Sequence, residues 1–140
     1  MKQTLLAICL ALFITSSALA EAQTRAAAKT MPHEGVIIKV ISAGKLVVWE
    51  KDKLYPFTLY GIDLPNPDSA QGIEAKKTVS KLVFNKLLTV EIIQKEQTLG
   101  IVMIRGKCLN ETLVRQGIAR VSKDCNQEPH CSQWAKVQKE

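Results

Sequence analysis

Between residues 35 and 62, short stretches dominated by Val, Ile and Leu are separated by turn-forming residues. Alternation of apolar and polar positions within such stretches is typical of β-strands that bury one face. In the second stretch Leu46 and Val48 fall on one face, whereas Val47 and Trp49 fall on the other. Pro56 indicates an edge or a bulge in the third stretch. The pattern predicts a meander of three strands at residues 35–41, 46–50 and 54–62.

A helical spacing follows the third strand. One buried stripe is predicted within a helix at residues 72–85, formed by Ala75, Val79, Leu82 and Val83. Asn110 is expected to be the N-cap of a second helix. The remaining elements are two strands and two short helices, at residues 87–93, 101–105, 111–116 and from about Pro129 onward. Three strands, a helix, two strands and a helix is the order of an OB-fold. The predicted fold class is therefore mainly β with helices (α+β), a five-stranded Greek-key OB-fold barrel with two to three helices.

Residues 1–20 have the features of a secretory signal peptide. Lys2 provides a positive start, residues 5–14 are apolar, and Ala18-Leu19-Ala20 is a small-x-small cleavage site. An apolar run of this length is too short to span a bilayer. We therefore expect cleavage after Ala20, a secreted or periplasmic protein and no transmembrane segment in the mature chain. Residues 21–33 are predicted to be a flexible leader, and residues 34–140 form the single domain.

Charge and cysteine content give only weak indications of the partner and of the disulfide bonding. The net charge of the chain is +6, or +5 after removal of Lys2 with the signal peptide. This excess favours polyanionic partners, although basic residues scattered over a solvated surface are the more common explanation. Three cysteines remain in an oxidising compartment, so one disulfide and one free thiol is the simplest outcome. They are Cys108, Cys125 and Cys131.

Four segments, in order and spacing, resemble the thermonuclease (staphylococcal-nuclease-like) family. Residues 106–121 are similar to its Gly-x-x-Val-Asn-x-x-Leu-Val-x-x-Gly-Leu-Ala motif, and residues 59–65 to its Leu-Ile-Gly-Ile-Asp-x-Pro strand. Residues 72–75 look like the start of its first helix, and residues 125–134 resemble the Cys…Cys-x-x-Trp segment of secreted members. The resemblance covers about residues 35–138 and implies the same OB-fold barrel.

In active members of that family, carboxylates hold Ca²⁺, a Glu activates or positions water, and two Arg bind the phosphate. Only Asp63 matches this set, as a residual metal ligand. The other positions are degenerate, being occupied by Gly44, Thr58, Asn66 and Ile101. Because Ca²⁺ takes six to eight oxygens, one Asp does not hold it. The resemblance thus implies an inactive nuclease fold with no cofactor, and Ca²⁺ only if residual nuclease activity exists. Carboxylates that would have to compensate are Glu50, Asp52 and Asp68.

Nucleic-acid binding remains a hypothesis, because strand faces of OB barrels bind oligonucleotides. The candidate residues are Lys45, Trp49, Lys51 and Lys53. The alternative for Trp49 is packing under a helix or the leader. Three functions stay open: a binding module for single-stranded nucleic acid or another ligand, a protein-interaction or envelope-associated domain, and a weak Ca²⁺-dependent phosphodiesterase acting on DNA or RNA.

The family resemblance also implies the cysteine pairing. It places the disulfide between Cys125 and Cys131 and leaves Cys108 as a free thiol, at a position where the family carries an apolar residue. A zinc site that includes His130 and Cys131 is the alternative. The spacing of these residues matches no common zinc pattern, and an oxidising compartment favours the disulfide.

Overall fold

The computed structural model describes residues 32–94, 96 and 98–140, and its elements follow the predicted order with three two-residue strands added. The predicted signal peptide lies outside these residues, as does the predicted leader apart from Pro32 and His33. The elements are β1 (His33–Ser42), β2 (Lys45–Glu50), β3 (Lys53–Leu59), β4 (Ile62–Asp63), α1 (Ala70–Val83), β5 (Leu87–Gln94), β6 (Leu99–Ile104), β7 (Lys107–Cys108), α2 (Leu109–Arg115), β8 (Arg120–Val121) and α3 (His130–Gln138).

Strands β1, β2, β3, β5 and β6 close into a barrel. β1 pairs with β2 and β5, β2 pairs with β3, and β5 pairs with β6, all antiparallel. A parallel pairing closes the ring, because Thr58 and Leu59 of β3 lie beside Leu99 and Gly100 of β6. The prediction of a five-stranded barrel with helices is therefore confirmed.

The barrel interior is filled by the apolar face of each strand. Along β2, Leu46 and Val48 are 0% and 1% exposed and Trp49 is 46% exposed, as the predicted faces require, but Val47, on the same face as Trp49, is only 8% exposed. Helix α1 packs its predicted stripe against the barrel. Burying these side chains is the main stabilising contribution to such a domain. The most deeply buried apolar residues include Ile37, Phe57, Val79, Val83, Val90, Val102, Leu113 and Trp134.

The predicted third strand is wrong beyond Leu59. The chain turns at Tyr60 and Gly61, where Gly61 has a φ of +70°, a conformation that glycine adopts without steric cost. Ile62 and Asp63 then pair with β8 instead of continuing β3. Asp63 therefore lies at a sharp corner between the barrel and the C-terminal segment.

Helix α1 begins two residues earlier than predicted, because Ser69 caps it. The Ser69 hydroxyl accepts a hydrogen bond from the Gly72 amide at 3.0 Å. Gly72 is required for a close approach, since a Cβ at this position would lie 1.9 Å from the carbonyl oxygen of Asn66. The loop that carries Asn66 is thus packed directly against the first turn of α1.

Asn110 is not the N-cap of α2, contrary to the prediction. Helix α2 begins at Leu109, and the Asn110 side chain is fully buried between β6 and the end of β3. Its Oδ1 accepts from the Val102 amide at 3.1 Å, and its Nδ2 donates to the carbonyl oxygens of Tyr60 at 2.9 Å and Gly100 at 3.4 Å. These long-range bonds satisfy buried backbone groups that a capping role would leave unpaired.

The C-terminal segment folds back on the β3–β4 corner. Cys125 and Cys131 form a disulfide with a Cα–Cα distance of 5.7 Å, as the family resemblance implied, and Cys108 is free. A Cβ at Gly61 would lie 2.7 Å from Cys125 Sγ and 3.1 Å from Trp134 Cζ3, so only glycine leaves room for this packing. We call the disulfide together with α3 the C-terminal clasp. None of the helices within the described residues is both long enough and apolar enough to cross a membrane.

Candidate functional site: the cleft around Asp63

A cleft of about 270 Å³ lies where the β1–β2 turn, β3 and β4 meet. It brings together three of the residues singled out from the sequence, Gly44, Thr58 and Asp63. Backbone hydrogen bonds fix their positions, because the Leu59 amide donates to the Gly44 carbonyl at 2.8 Å and the Thr58 amide donates to the Thr98 carbonyl at 2.9 Å. The barrel thus brings these three positions together in one cleft, with one carboxylate in it.

Leu64 occupies the space beside Gly44. A Cβ at Gly44 would lie 2.8 Å from Leu64 Cδ1, which is closer than a side-chain carbon can approach without displacement of the leucine. An aspartate at residue 44 would need a smaller or displaced side chain at residue 64.

Asn66 takes part in local structure at the edge of this region. Its Oδ1 accepts from the Asp68 amide at 3.0 Å, and its carbonyl oxygen accepts from the Ser69 hydroxyl at 2.7 Å. This is an Asx turn that leads into α1. The amide of Asn66 is thereby committed to shaping the loop, and an amide is no general base.

The structure does not bring Ile101 into the cleft. Its side chain is fully buried in β6, where the residue pairs with Glu91 of β5. The segment before β6 reaches the cleft strand at Thr98, whose carbonyl contacts Thr58, rather than at Ile101. An arginine at residue 101 would therefore enter the packed side of the barrel and not face a phosphate in the cleft.

The residues present do not suit Ca²⁺. The polar side chains that line the cleft are those of Ser42, Thr58 and Asp63, so it offers a single anionic ligand. Within residues 32–94, 96 and 98–140, no three His, Cys, Asp or Glu side chains are grouped closely enough to hold a metal ion. At the position considered for zinc, both sulfurs of Cys125 and Cys131 are bonded to each other.

Asp63 also lines a second cavity, of about 580 Å³, which lies between β4, α1 and the segment that leads into β8. Arg120 is its partner in the β4–β8 register and lines the same cavity, together with Glu74 of α1. Asp63 is exposed, and it takes part in none of the ion pairs formed by the described residues. Sequence reasoning missed Arg120, because a two-residue strand gives no periodic signal.

The sequence profile of the family described as "Staphylococcal nuclease homologue" matches residues 56–140, more than half of the chain. The chain belongs to this family. An uncharacterized 38.1 kDa protein of Capnoides sempervirens is 31% identical to it over 83 residues, which are 57% of this chain and 25% of that protein. The chain therefore spans about a quarter of the length of this relative.

The candidate nucleic-acid residues of this nuclease homologue lie on the outside of the barrel. Trp49 is 46% exposed and does not pack under a helix or strand of the described chain. Lys45, on the same face of β2, is exposed, as are Lys51 and Lys53 at the tip of the β2–β3 hairpin. Trp49 and Lys45 thus lie on the outer face of β2 and β3, whereas Lys51 and Lys53 lie at the hairpin tip, where Lys53 pairs with Glu50 on the opposite face of the ladder.

One titratable pair closes the barrel end next to this hairpin. His33 Nδ1 lies 2.7 Å from Glu50 Oε2, and the His33 ring lies 4.9 Å from the Tyr55 ring. The hydrogen bond from His33 lowers the pKa of Glu50 below its ordinary value, and Lys51 acts in the same direction. Cys108 is perturbed in the opposite sense, because burial raises the pKa of its thiol, which keeps it protonated and unreactive.

Proposed function

We propose that this protein is an exported staphylococcal nuclease homologue that binds single-stranded nucleic acid or another polyanion without cleaving it. The observation that carries the proposal is the single charge in the cleft, where Asp63 stands beside Gly44 and Thr58. Phosphodiester hydrolysis accumulates negative charge in its transition state, and metal ions or guanidinium groups have to stabilise that charge. Loss of one such group costs about a hundredfold in rate, and several are replaced here.

The outer face of β2 and β3 supports the binding part of the proposal. Trp49 offers a half-exposed indole on which a base can stack, and exposed lysines flank it along β2 and at the hairpin tip. Aromatic side chains beside basic residues are the usual elements of single-strand binding, and this strand face is the one that OB-folds use. The ligand would therefore cross the barrel surface instead of entering the cleft.

One experiment tests both parts. Protein purified after export is mixed with single-stranded DNA and RNA oligonucleotides in Ca²⁺ and in EDTA, and cleavage and binding are measured in the same samples. We expect binding that is equal in Ca²⁺ and EDTA, and no cleavage in either. Cleavage that EDTA abolishes and that Asp63→Ala removes would contradict the proposal and indicate a metal site with new partners.

Salt dependence and variants then locate the surface. The slope of log K against log salt should decrease by about 0.7 for each phosphate that Lys45→Ala, Lys51→Ala or Lys53→Ala leaves without a cation. Trp49→Ala should weaken binding about tenfold. Lys76→Ala is the matched control, because Lys76 is an exposed lysine on α1, away from this face. Equal losses of oligonucleotide affinity in Lys76→Ala and Lys51→Ala would show that the net charge of the protein, and not this surface, determines binding. No binding at low salt would favour a protein partner.

A further inference from the structure

A row of exposed apolar side chains crosses four strands on the outside of the barrel. Leu54, Trp49, Val36 and Leu87 are successive cross-strand partners in β3, β2, β1 and β5. Leu54 is 59% exposed, Trp49 46% and Leu87 70%, whereas Val36 between them is half-buried. We call these four residues the apolar row. Because partners in a ladder present their side chains on the same face, the row is continuous.

Further apolar surface adjoins the row. Ile38, two residues along β1 from Val36, is 43% exposed, and Phe84, which is bridged to the neighbouring Ile37, is 57% exposed. The barrel interior is already filled by other side chains, so none of these exposed groups is needed for the core. Single exposed apolar residues are ordinary on protein surfaces, whereas a contiguous set of them marks a site of interaction with another protein or a membrane.

Cations surround the row. Lys51 and Lys53 lie at the hairpin tip beyond Trp49 and Leu54, and Lys86 and Arg105 line a cavity of about 480 Å³ together with Leu87. Lys39 and Lys45 lie further along β1 and β2, in a register that pairs them with Val47 and Ser42. The exposed carboxylates on or beside this surface within the described residues are Glu34, Asp52 and Glu91, fewer than the six cations, and Glu50 is bound to His33.

We infer that this face docks on an anionic phospholipid membrane. An amphipathic surface with Trp and Leu at its centre and Lys and Arg around it suits the boundary between headgroups and acyl chains. Each cation near such a surface also gains from its negative potential. A second copy of the chain fits less well, since face-to-face packing would set the lysines of both copies against one another. A soluble polyanion would leave Leu54 and Leu87 without a partner. The inference therefore goes beyond the proposed function and does not depend on nucleic-acid binding.

The test uses protein purified after export and unilamellar vesicles, either of phosphatidylcholine alone or of phosphatidylcholine mixed with phosphatidylglycerol. We expect cosedimentation only with the anionic vesicles, together with a blue shift of tryptophan emission. Trp134 is already fully buried, so the shift reports on Trp49. Leu87→Ser should weaken vesicle binding about tenfold, and Lys86→Gln about fivefold.

Matched controls keep the result specific. Ile73→Ser removes an apolar side chain of comparable exposure, 49%, from α1, and Lys76→Gln removes an exposed lysine from the same helix. Neither change should alter vesicle binding. Oligonucleotide binding by Leu87→Ser should equal that of the unsubstituted protein, because the two proposed surfaces share Trp49 and the neighbouring lysines but only the membrane surface includes Leu87.

Four outcomes would overturn the inference. They are equal binding to both kinds of vesicle, equal losses in Leu87→Ser and Ile73→Ser, a concentration-dependent dimer that Leu87→Ser dissociates, and vesicle binding that appears only after deletion of residues 21–31. The third outcome would identify a second copy as the partner of this face. The fourth would show that the N-terminal segment covers it.

Discussion

The inner and outer sides of the β3–β4 corner are built from different kinds of residue. On the inner side, Asn110 donates to the Tyr60 carbonyl, and the Tyr60 hydroxyl donates to Asn126 Oδ1 at 2.7 Å. On the outer side, the cleft presents Asp63 as its single charged side chain, beside Gly44. One side is tied together by specific hydrogen bonds, whereas the other lacks most of the groups that phosphoryl chemistry needs.

The comparison distinguishes the residues that maintain the fold from the residues that would carry out a reaction. The polar links on the inner side satisfy buried groups and position the corner, so their loss would be felt in stability. The cleft residues satisfy their backbone groups through the sheet, so their side chains are free to change without unfolding the barrel. Membership of a nuclease family therefore shows the fold, while activity depends on side chains that the fold does not require.

Replacement of Asn110 should have the largest effect on stability. Asn110→Ala would leave the Val102 amide and the Tyr60 carbonyl buried without this partner, and would open a cavity. Because each unsatisfied buried group costs about 1–3 kcal/mol, we expect a loss of about 3 kcal/mol or more in the free energy of unfolding. Denaturant unfolding monitored by circular dichroism measures it.

Asn126→Ala is the matched control, because Asn126 is exposed although it also bonds to Tyr60. Its loss should be nearer 1 kcal/mol. Equal losses in Asn110→Ala and Asn126→Ala would show that burial of the Asn110 bonds adds nothing to the stability of the fold.

Removal of the C-terminal clasp's disulfide should come next. The bond joins residues six apart in sequence, and closing so short a loop is worth about 2 kcal/mol in the chain-entropy model. The double variant Cys125→Ala/Cys131→Ala should lose about this amount, and loss of the packing against Gly61 adds to it. Cys108→Ala controls for cysteine removal alone and should lose less. A larger loss in Cys108→Ala would contradict the assignment of the clasp.

Local sequence signals predicted the parts of the molecule that follow a regular period. The alternation in β2 and the stripe of α1 placed Leu46 and Val79 in the core. The role of Asn110 was missed, because the local sequence is the same whether an asparagine at the start of a helix caps that helix or forms hydrogen bonds to a distant strand. The end of β3 was missed because the apolar run continues through the turn at Gly61.

The candidate site was predicted in part, through the family resemblance and not through the periodic pattern. The resemblance singled out Gly44, Thr58 and Asp63, and the structure brings them together. Ile101 comes after the loop between β5 and β6, and the pairing of these strands is irregular between Ile92 and Gln94. Because of this irregularity, the position of Ile101 along the sequence did not indicate where its side chain lies. The close approach of Leu64 to Gly44 depends on three-dimensional packing, which the sequence pattern does not indicate.

A smaller effect is expected at the barrel end that His33 and Glu50 close. The folded-state pKa of Glu50 is lowered, so its contribution to stability is present above the unfolded pKa and is lost as the pH falls through the folded pKa. Between about pH 5 and pH 3, the unsubstituted protein should therefore lose more stability than Glu50→Gln. The difference should not exceed about 1 kcal/mol, because the pair is partly exposed.

Thermal unfolding at several pH values measures this difference. Glu34→Gln is the control, since Glu34 is an exposed carboxylate beside the same pair. If Glu34→Gln and Glu50→Gln flatten the pH dependence equally, the His33 hydrogen bond is not its source.

The smallest effect is expected at Asp63 itself. Its side chain is exposed, it makes no ion pair with any described residue, and the β4–β8 pairing uses only backbone groups. Asp63→Asn should therefore change the free energy of unfolding by less than about 0.5 kcal/mol. Millimolar Ca²⁺ should leave the melting temperatures of both proteins unchanged, because a ligand that binds the folded state would raise them. A rise in the melting temperature of the unsubstituted protein that Asp63→Asn abolishes would show that Asp63 still binds a metal ion. The cleft would then be a functional metal site.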